Sequence, residues 1–171
     1  DADEDEETYV YLGLKEGVDK KEMGRELRAA EKGEELFPAE KYVNKIPVKK
    51  HDHVLIPAGT VHCSGKNTMV LEISATPYIF TFKLWDWGRL GMDGLPRPIH
   101  LDHGMKNIQW NRDTKWVYDN IVGQQKILEK TETCEVERTG LHSREFIDTI
   151  RYTLSGPHTI SMDDTVHVMN L

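Results

Sequence analysis

The chain has 171 residues, 38% of them hydrophobic, with four tryptophans and six tyrosines, enough apolar surface for one ordinary folded core. Its 29 acidic against 22 basic side chains leave a formal net charge of −7, which argues against nucleic acid or an anionic membrane surface as a partner while leaving room for a pocket that takes an anionic substrate. No apolar run approaches the ~18 residues of a transmembrane helix, no signal peptide is recognisable, and two cysteines outside any paired motif, Cys63 and Cys134, fit a reducing cytoplasm.

The acidic opening from Asp1 to Glu7 reads as a solvated loop and not as a metal site. The chain starts on this segment without a methionine and stops on the apolar pattern Val166 to Leu171, so an internal piece of a longer protein is expected. Tyr9 to Leu14 is rich in β formers and reads as a strand. From Asp19 to Lys32 the spacing predicts a helix, with Asp19 as N-cap, Glu22 as its capping-box partner and Val18 stapled onto Met23. Met23, Leu27 and Ala30 make a narrow apolar stripe and Gly33 a stop. Leu36 to Ile46, interrupted by Pro38, reads as connection with a half-turn of helix.

The stretch from His51 to Arg89 carries the chemistry. Ile56-Pro57-Ala58-Gly59-Thr60-Val61-His62 reads as a strand end, a stiff Pro/Gly corner and a second strand presenting His62. Met69 to Ser74 reads as an apolar strand with Glu72 and Ser74 on one side. Phe80 to Trp85 alternates, with Thr81, Lys83 and Trp85 on one face, so a curled sheet would let Lys83 face the same interior as His62 and Glu72. Cys63 follows His62 and points the other way, as a core thiol. His51 and His53 share a strand side, yet Pro57 and Ala58 stand where a cupin oxygenase places its glutamate, so both are read as solvated or structural, as are His100, His103, His142, His158 and His167. Two readings of His62 stay open, a metal ligand delivered by a strand end and a histidine hydrogen-bonded within the core.

Leu90 to Gln109 is a Gly- and Pro-rich loop with room for a short helix between Ile99 and Ile108. Asp113 to Ile121 offers a capped helix ending near Gly123, or a linker anchored by Trp110 and Trp116. Cys134 to Arg138, Glu145 to Leu154 and Thr165 to Leu171 are candidate strands, with a turn at Ser155-Gly156-Pro157.

The run Ile56 to His62, then Leu71-Glu72-Ile73, then Thr81-Phe82-Lys83-Leu84-Trp85-Asp86-Trp87-Gly88-Arg89 resembles the class I phosphomannose isomerases (mannose-6-phosphate isomerases) of cupin fold, and the similarity runs from about Tyr9 through Ile108. The resemblance implies a mainly β chain, a cupin-type antiparallel barrel (jelly roll) portion with a few short helices. Residues 1–109 would form the later strands of a metal-binding barrel with an external helix, 110–132 a linker and 133–171 the start of a second β unit. It implies zinc as cofactor, a sugar phosphate as substrate and aldose-ketose isomerisation of mannose 6-phosphate to fructose 6-phosphate. His62 matches the zinc-binding histidine, Glu72 a carboxylate near the substrate, and Lys83 a position where many members carry arginine. A proton shuttle at Glu72 and a structural pair of Glu72 with Lys83 read alike in sequence. The family's other zinc ligands come from strands upstream of the acidic opening, so the site in this chain is expected to be incomplete. A noncatalytic cupin module that binds a sugar or a protein partner is the alternative, and exposed strand edges lead us to expect pairing with a second copy.

Overall fold

Tyr9–Leu14 forms β1, the central strand of a three-stranded antiparallel sheet, in a computed structural model that describes residues 7–74, 81–140, 143, 147–161 and 166–169. One neighbour is β2, Val43–Pro47, a strand that begins inside the segment expected to be connection and ends one residue beyond it. It carries no alternating apolar pattern. It is fixed instead by the buried Asn44, whose Nδ2 donates to the carbonyls of Leu12 at 3.1 Å and Leu14 at 2.9 Å across a bulge in β1. Gly13 makes that bulge at φ +65°, and a Cβ there would stand 2.2 Å from Val117 Cγ2. The other neighbour is β3, His62–Ser64, whose His62 pairs with Leu12 and Cys63 with Tyr11.

The first helix is where capping chemistry put it. α1 spans Lys20–Glu31, and Asp19 Oδ1 accepts from the amides of Lys21 at 2.7 Å and Glu22 at 3.1 Å. Met23, Leu27 and Ala30 are buried, and Gly33 at φ +75° ends the helix. The reciprocal half of the box does not form, because the Glu22 carboxylate turns to Lys41 Nζ at 2.9 Å. A single turn, α2 (Ala39–Tyr42), leads into β2. α3 (Leu101–Asn107) occupies the expected place, and so does α4 (Thr114–Asn120), capped by Asp113 on the Trp116 amide at 2.9 Å.

The C-terminal third builds a second antiparallel sheet, ordered β4-β5-β6, from Lys126–Lys130, Cys134–Gly140 and Thr149–Leu154. Two of the three candidate strands are present. β4 is an addition, and it escaped notice because every residue of it is exposed. Glu145 lies outside the described residues, as do Thr165, Asn170 and Leu171, and the described part of the last candidate, Val166 to Met169, is not in a strand.

Two further strand expectations are corrected. Met69 to Ser74 forms no strand and its apolar side chains stay in solvent, Met69 at 82% and Leu71 at 70% exposure, since no described strand pairs with it. Thr81 to Trp85 likewise runs as irregular chain, and Phe80 lies outside the described residues. The chain is β-rich with short helices, and neither sheet closes into a barrel among the described residues.

The two faces of the first sheet bury different clusters. Tyr11, with Cys63 and Val61 beside it, packs against α1, Phe37, Leu84 and Trp85. Leu12, with Ile46, packs against Val117 and Ile121 of the α4 region. Such apolar side chains contribute roughly 1.5–3 kcal/mol each when fully buried. No helix among the described residues is long and apolar enough to cross a membrane.

Candidate functional site

The corner that delivers His62 is built as the Pro/Gly spacing suggested. Pro57 is fully buried, its carbonyl accepts from the Thr60 amide at 3.1 Å and from Thr60 Oγ1 at 2.7 Å, and Gly59 takes φ +87°. A Cβ on Gly59 would meet the Asn107 carbonyl at 2.7 Å, so the close approach of the two loops requires glycine as much as the dihedral does. The Thr60 carbonyl lies 2.9 Å from His62 Nδ1.

The residue that locks this corner was not singled out from the sequence. Arg112, 3% exposed, donates through Nη1 to the carbonyls of Pro57 at 2.7 Å and Ala58 at 2.8 Å, and to Thr60 Oγ1. Its guanidinium sits 4.9 Å from the ring centroid of Trp116. The available signal was an arginine four positions before a tryptophan taken as an anchor.

The three residues expected to converge do not do so. His62 is exposed and shares the Leu12 face of the sheet, by its pairing register. The segment carrying Lys83 lies on the Tyr11 side, where Leu84 and Trp85 join the first cluster and the Trp87 ring lies tilted against Tyr11, centroids 5.3 Å apart. Glu72 is exposed on irregular chain, so the apolar surround expected of it is not there. Lys83 faces Asp86 instead of Glu72, with Nζ 3.3 Å from Oδ2. Its backbone is pinned from both sides by His100, whose amide donates to the Lys83 carbonyl at 2.7 Å while Nδ1 accepts the Lys83 amide at 3.1 Å.

Asp86 is the electrostatic centre of this region. It is 9% exposed, and besides Lys83 it faces Arg97 Nη1 at 3.1 Å and Arg89 Nη1 at 3.7 Å. The chain turns sharply here. Arg89 N donates to Asp86 O at 3.0 Å, and both central residues are left-handed, Trp87 at φ +57° and Gly88 at φ +66°, as in a type I′ turn. Tryptophan at such a position costs roughly 1–2 kcal/mol against extended or helical backbone. The indole is held in return between Trp85, 4.7 Å away, and Tyr11, and keeps 40% of its surface in solvent.

Two other groups have a chemistry set by burial. The Tyr11 phenol donates to Glu40 Oε1 at 2.9 Å, and burial together with that bond holds its pKa well above the usual tyrosine range. Burial, aided by the Glu129 charge, also pushes the Cys134 thiol up, which keeps it protonated and a poor nucleophile.

A catalytic zinc needs about three protein ligands and an open position. Among the described residues no three His, Cys, Asp or Glu side chains group closely enough to hold a metal ion, and His62 stands by itself. The described donors therefore do not fit the zinc that the family resemblance implies.

No protein-family profile matches the chain. It is similar to the mannose-6-phosphate isomerase of Streptococcus mutans serotype c, 33% identical over 63 residues, which is 37% of this chain and 20% of that protein. It is also similar to two Bacillus subtilis proteins: the probable mannose-6-phosphate isomerase GmuF, 32% identical over 66 residues (39% of this chain, 21% of that protein), and the mannose-6-phosphate isomerase ManA, 31% identical over 67 residues (39% and 21%). No solved structure matches. The chain spans about a fifth of the length of these curated relatives, and what it shares with them is a partial similarity to mannose-6-phosphate isomerases.

Proposed function

We propose that this chain is part of a sugar-phosphate isomerase that interconverts mannose 6-phosphate and fructose 6-phosphate. The observation that carries the reading is the stretch of 31–33% identity to three proteins named as mannose-6-phosphate isomerases. The reaction moves a carbonyl between C1 and C2, so a proton leaves one carbon and returns to the other while negative charge grows on oxygen. In this reading Lys83 supplies positive charge for the substrate's phosphate or for that oxygen, as a point charge where arginine would offer a planar fork. Glu72 is the carboxylate that carries the proton. His62 is the metal-ligating imidazole, with Nε2 outward because Nδ1 faces the Thr60 carbonyl. No step is assigned to zinc.

A second reading, a noncatalytic module that binds a sugar phosphate, is favoured by one observation: His62 and the Lys83 segment lie on different faces of the same sheet. A coupled assay for fructose 6-phosphate formation, with and without added zinc, separates the two when run on the longer protein of which this chain is proposed to be part. The described donors of this chain do not make up a zinc site, and little or no turnover is expected of it alone. Turnover abolished by a chelator, by His62→Ala and by Lys83→Ala establishes the isomerase. Saturable mannose 6-phosphate binding without turnover establishes the module, and absence of binding removes both.

A further inference from the structure

β4 is an edge strand with no further strand beyond it among the described residues. It pairs on one side with β5, and every residue in it is exposed, Ile127 at 61% and Leu128 at 53%. An edge of this kind leaves main-chain donors and acceptors unpaired and templates another strand unless charge or shape prevents it. Lysine is a common guard, and β4 has one at each end. Lys130 does not serve as one, because its Nζ is bonded to Glu135 on the neighbouring strand.

The bulge in β4 sets the charges that remain. Across the ladder with β5, Lys126 stands opposite Arg138 and Glu129 opposite Val136, and the register shifts between Ile127 and Glu129. Val136 and Arg138 are two residues apart and share one face of the sheet. Lys126 and Glu129 therefore share that face although they are three residues apart, which a regular strand cannot give. The Arg138 charge is taken up by Asp148, with Nε 2.9 Å from Oδ2. Lys126 and Glu129 make no ion pair among the described residues.

We propose that β4 is a self-association edge, at which two copies of this chain pair antiparallel about a two-fold axis between Ile127 and Leu128. In that register Lys126 of each copy faces Glu129 of the other, and the two opposite-charge pairs flank a centre where Ile127 meets Leu128. A two-fold normal to the sheet carries each face onto itself, so the common face of Lys126 and Glu129 is what lets the pairs form. The register centred on Leu128 would instead set Lys126 against Lys130 twice, and like charges directly opposite repel. The joined sheet runs β6-β5-β4-β4-β5-β6, and the symmetry closes it at two copies. A single short edge buries less than the ~1,200 Å² of a standard interface, so the dimer is weak and concentration-dependent. No residue of β4 enters the isomerase reading, and either can fail without the other.

Sedimentation equilibrium on the purified chain, from about 10 μM to about 1 mM, reads the association, and a monomer–dimer equilibrium within that range is expected. Glu129→Lys turns both attractive pairs repulsive and should weaken the dimer about 10-fold. The swap Lys126→Glu/Glu129→Lys rebuilds both pairs with exchanged signs and should restore it. Both side chains are exposed, and far-UV circular dichroism checks that the variants fold. Amide hydrogen exchange should slow with concentration in β4 and not in β6. A chain still monomeric at about 1 mM overturns the proposal, as it would be if another segment of the same chain covered β4. Wild-type association in Glu129→Lys, or no recovery in the swap, also overturns it. So does growth beyond the dimer, which head-to-tail pairing of β4 with β6 would produce.

Discussion

His62 Nδ1 lies 2.9 Å from the carbonyl oxygen of Thr60, and because a carbonyl only accepts, the proton resides on Nδ1 and the lone pair on Nε2. The corner behind that carbonyl fixes the tautomer, and Arg112 fixes the corner through the carbonyls of Pro57 and Ala58 and the Thr60 hydroxyl. Orientation at His62 therefore depends on a side chain fifty residues further along the chain, by the numbering His62 to Arg112.

Arg112→Met is expected to lower stability by about 2–4 kcal/mol, since it strips buried acceptors of a charged donor and loses the contact with Trp116. Urea unfolding measures the loss. The nitrogen chemical shifts of His62 should also move toward a mixed tautomer. A loss below about 1 kcal/mol would mean that the acceptors find water, as exposed carbonyls do.

Gly13→Ala tests the joint between β1 and α4. The added methyl meets Val117 Cγ2 at 2.2 Å and the Arg112 carbonyl at 2.9 Å, at a residue with φ +65°. Left-handed strain and overpacking together cost about 3 kcal/mol. A near-neutral result in thermal or urea unfolding would show that α4 can shift away from β1 at little cost.

Much of this architecture was legible where a local signal decided it. Asp19 and Asp113 announced α1 and α4, because a capping carboxylate and the following apolar spacing act within a few residues. The Pro57 to Thr60 corner was legible for the same reason. β2 and β4 were not. Asn44 is held in β2 by carbonyls some thirty residues away, and β4 has no buried face to impose an alternating pattern. The reverse error occurred at Met69 to Ser74, where β-forming residues have no described strand to pair with and remain in water. Convergence of His62, Glu72 and Lys83 depended on a curled sheet, a long-range property that alternation within single strands cannot encode.

The His53 ring makes folding sensitive to acid. It packs over Gly140 on β5, where burial and then the charge of Arg151 lower its pKa from the ordinary value of 6.5. Arg151 is itself bound to Glu137 Oε2 at 2.9 Å and to the His51 carbonyl at 2.6 Å. The unfolded chain thus binds a proton at His53 more readily than the folded one. Stability from neutral His53 is complete above pH 6.5 and declines as pH falls through the depressed folded value. The urea midpoint is expected to drop from pH 7.5 to pH 5.5, with a shallower drop in His53→Gln. An equal slope in both proteins would assign the acid sensitivity to other groups.

Asp86→Asn probes what holds the Trp87 turn. The substitution removes the one negative charge among Lys83, Arg89 and Arg97 and leaves three cations to repel one another. Breaking a fully buried pair costs roughly 3–5 kcal/mol, but these cations are between 37% and 64% exposed and water screens them. A loss nearer 1 kcal/mol is therefore expected. The larger effect should be local. With the hairpin base loosened, the left-handed conformation of Trp87 is opposed only by its contacts with Trp85 and Tyr11, and the indole should leave them for part of the time. Tryptophan emission should shift to the red and acrylamide quenching should increase, both more than the change in global stability explains. Unchanged emission would mean that the main-chain bond from Arg89 to Asp86, and not the carboxylate, holds the turn.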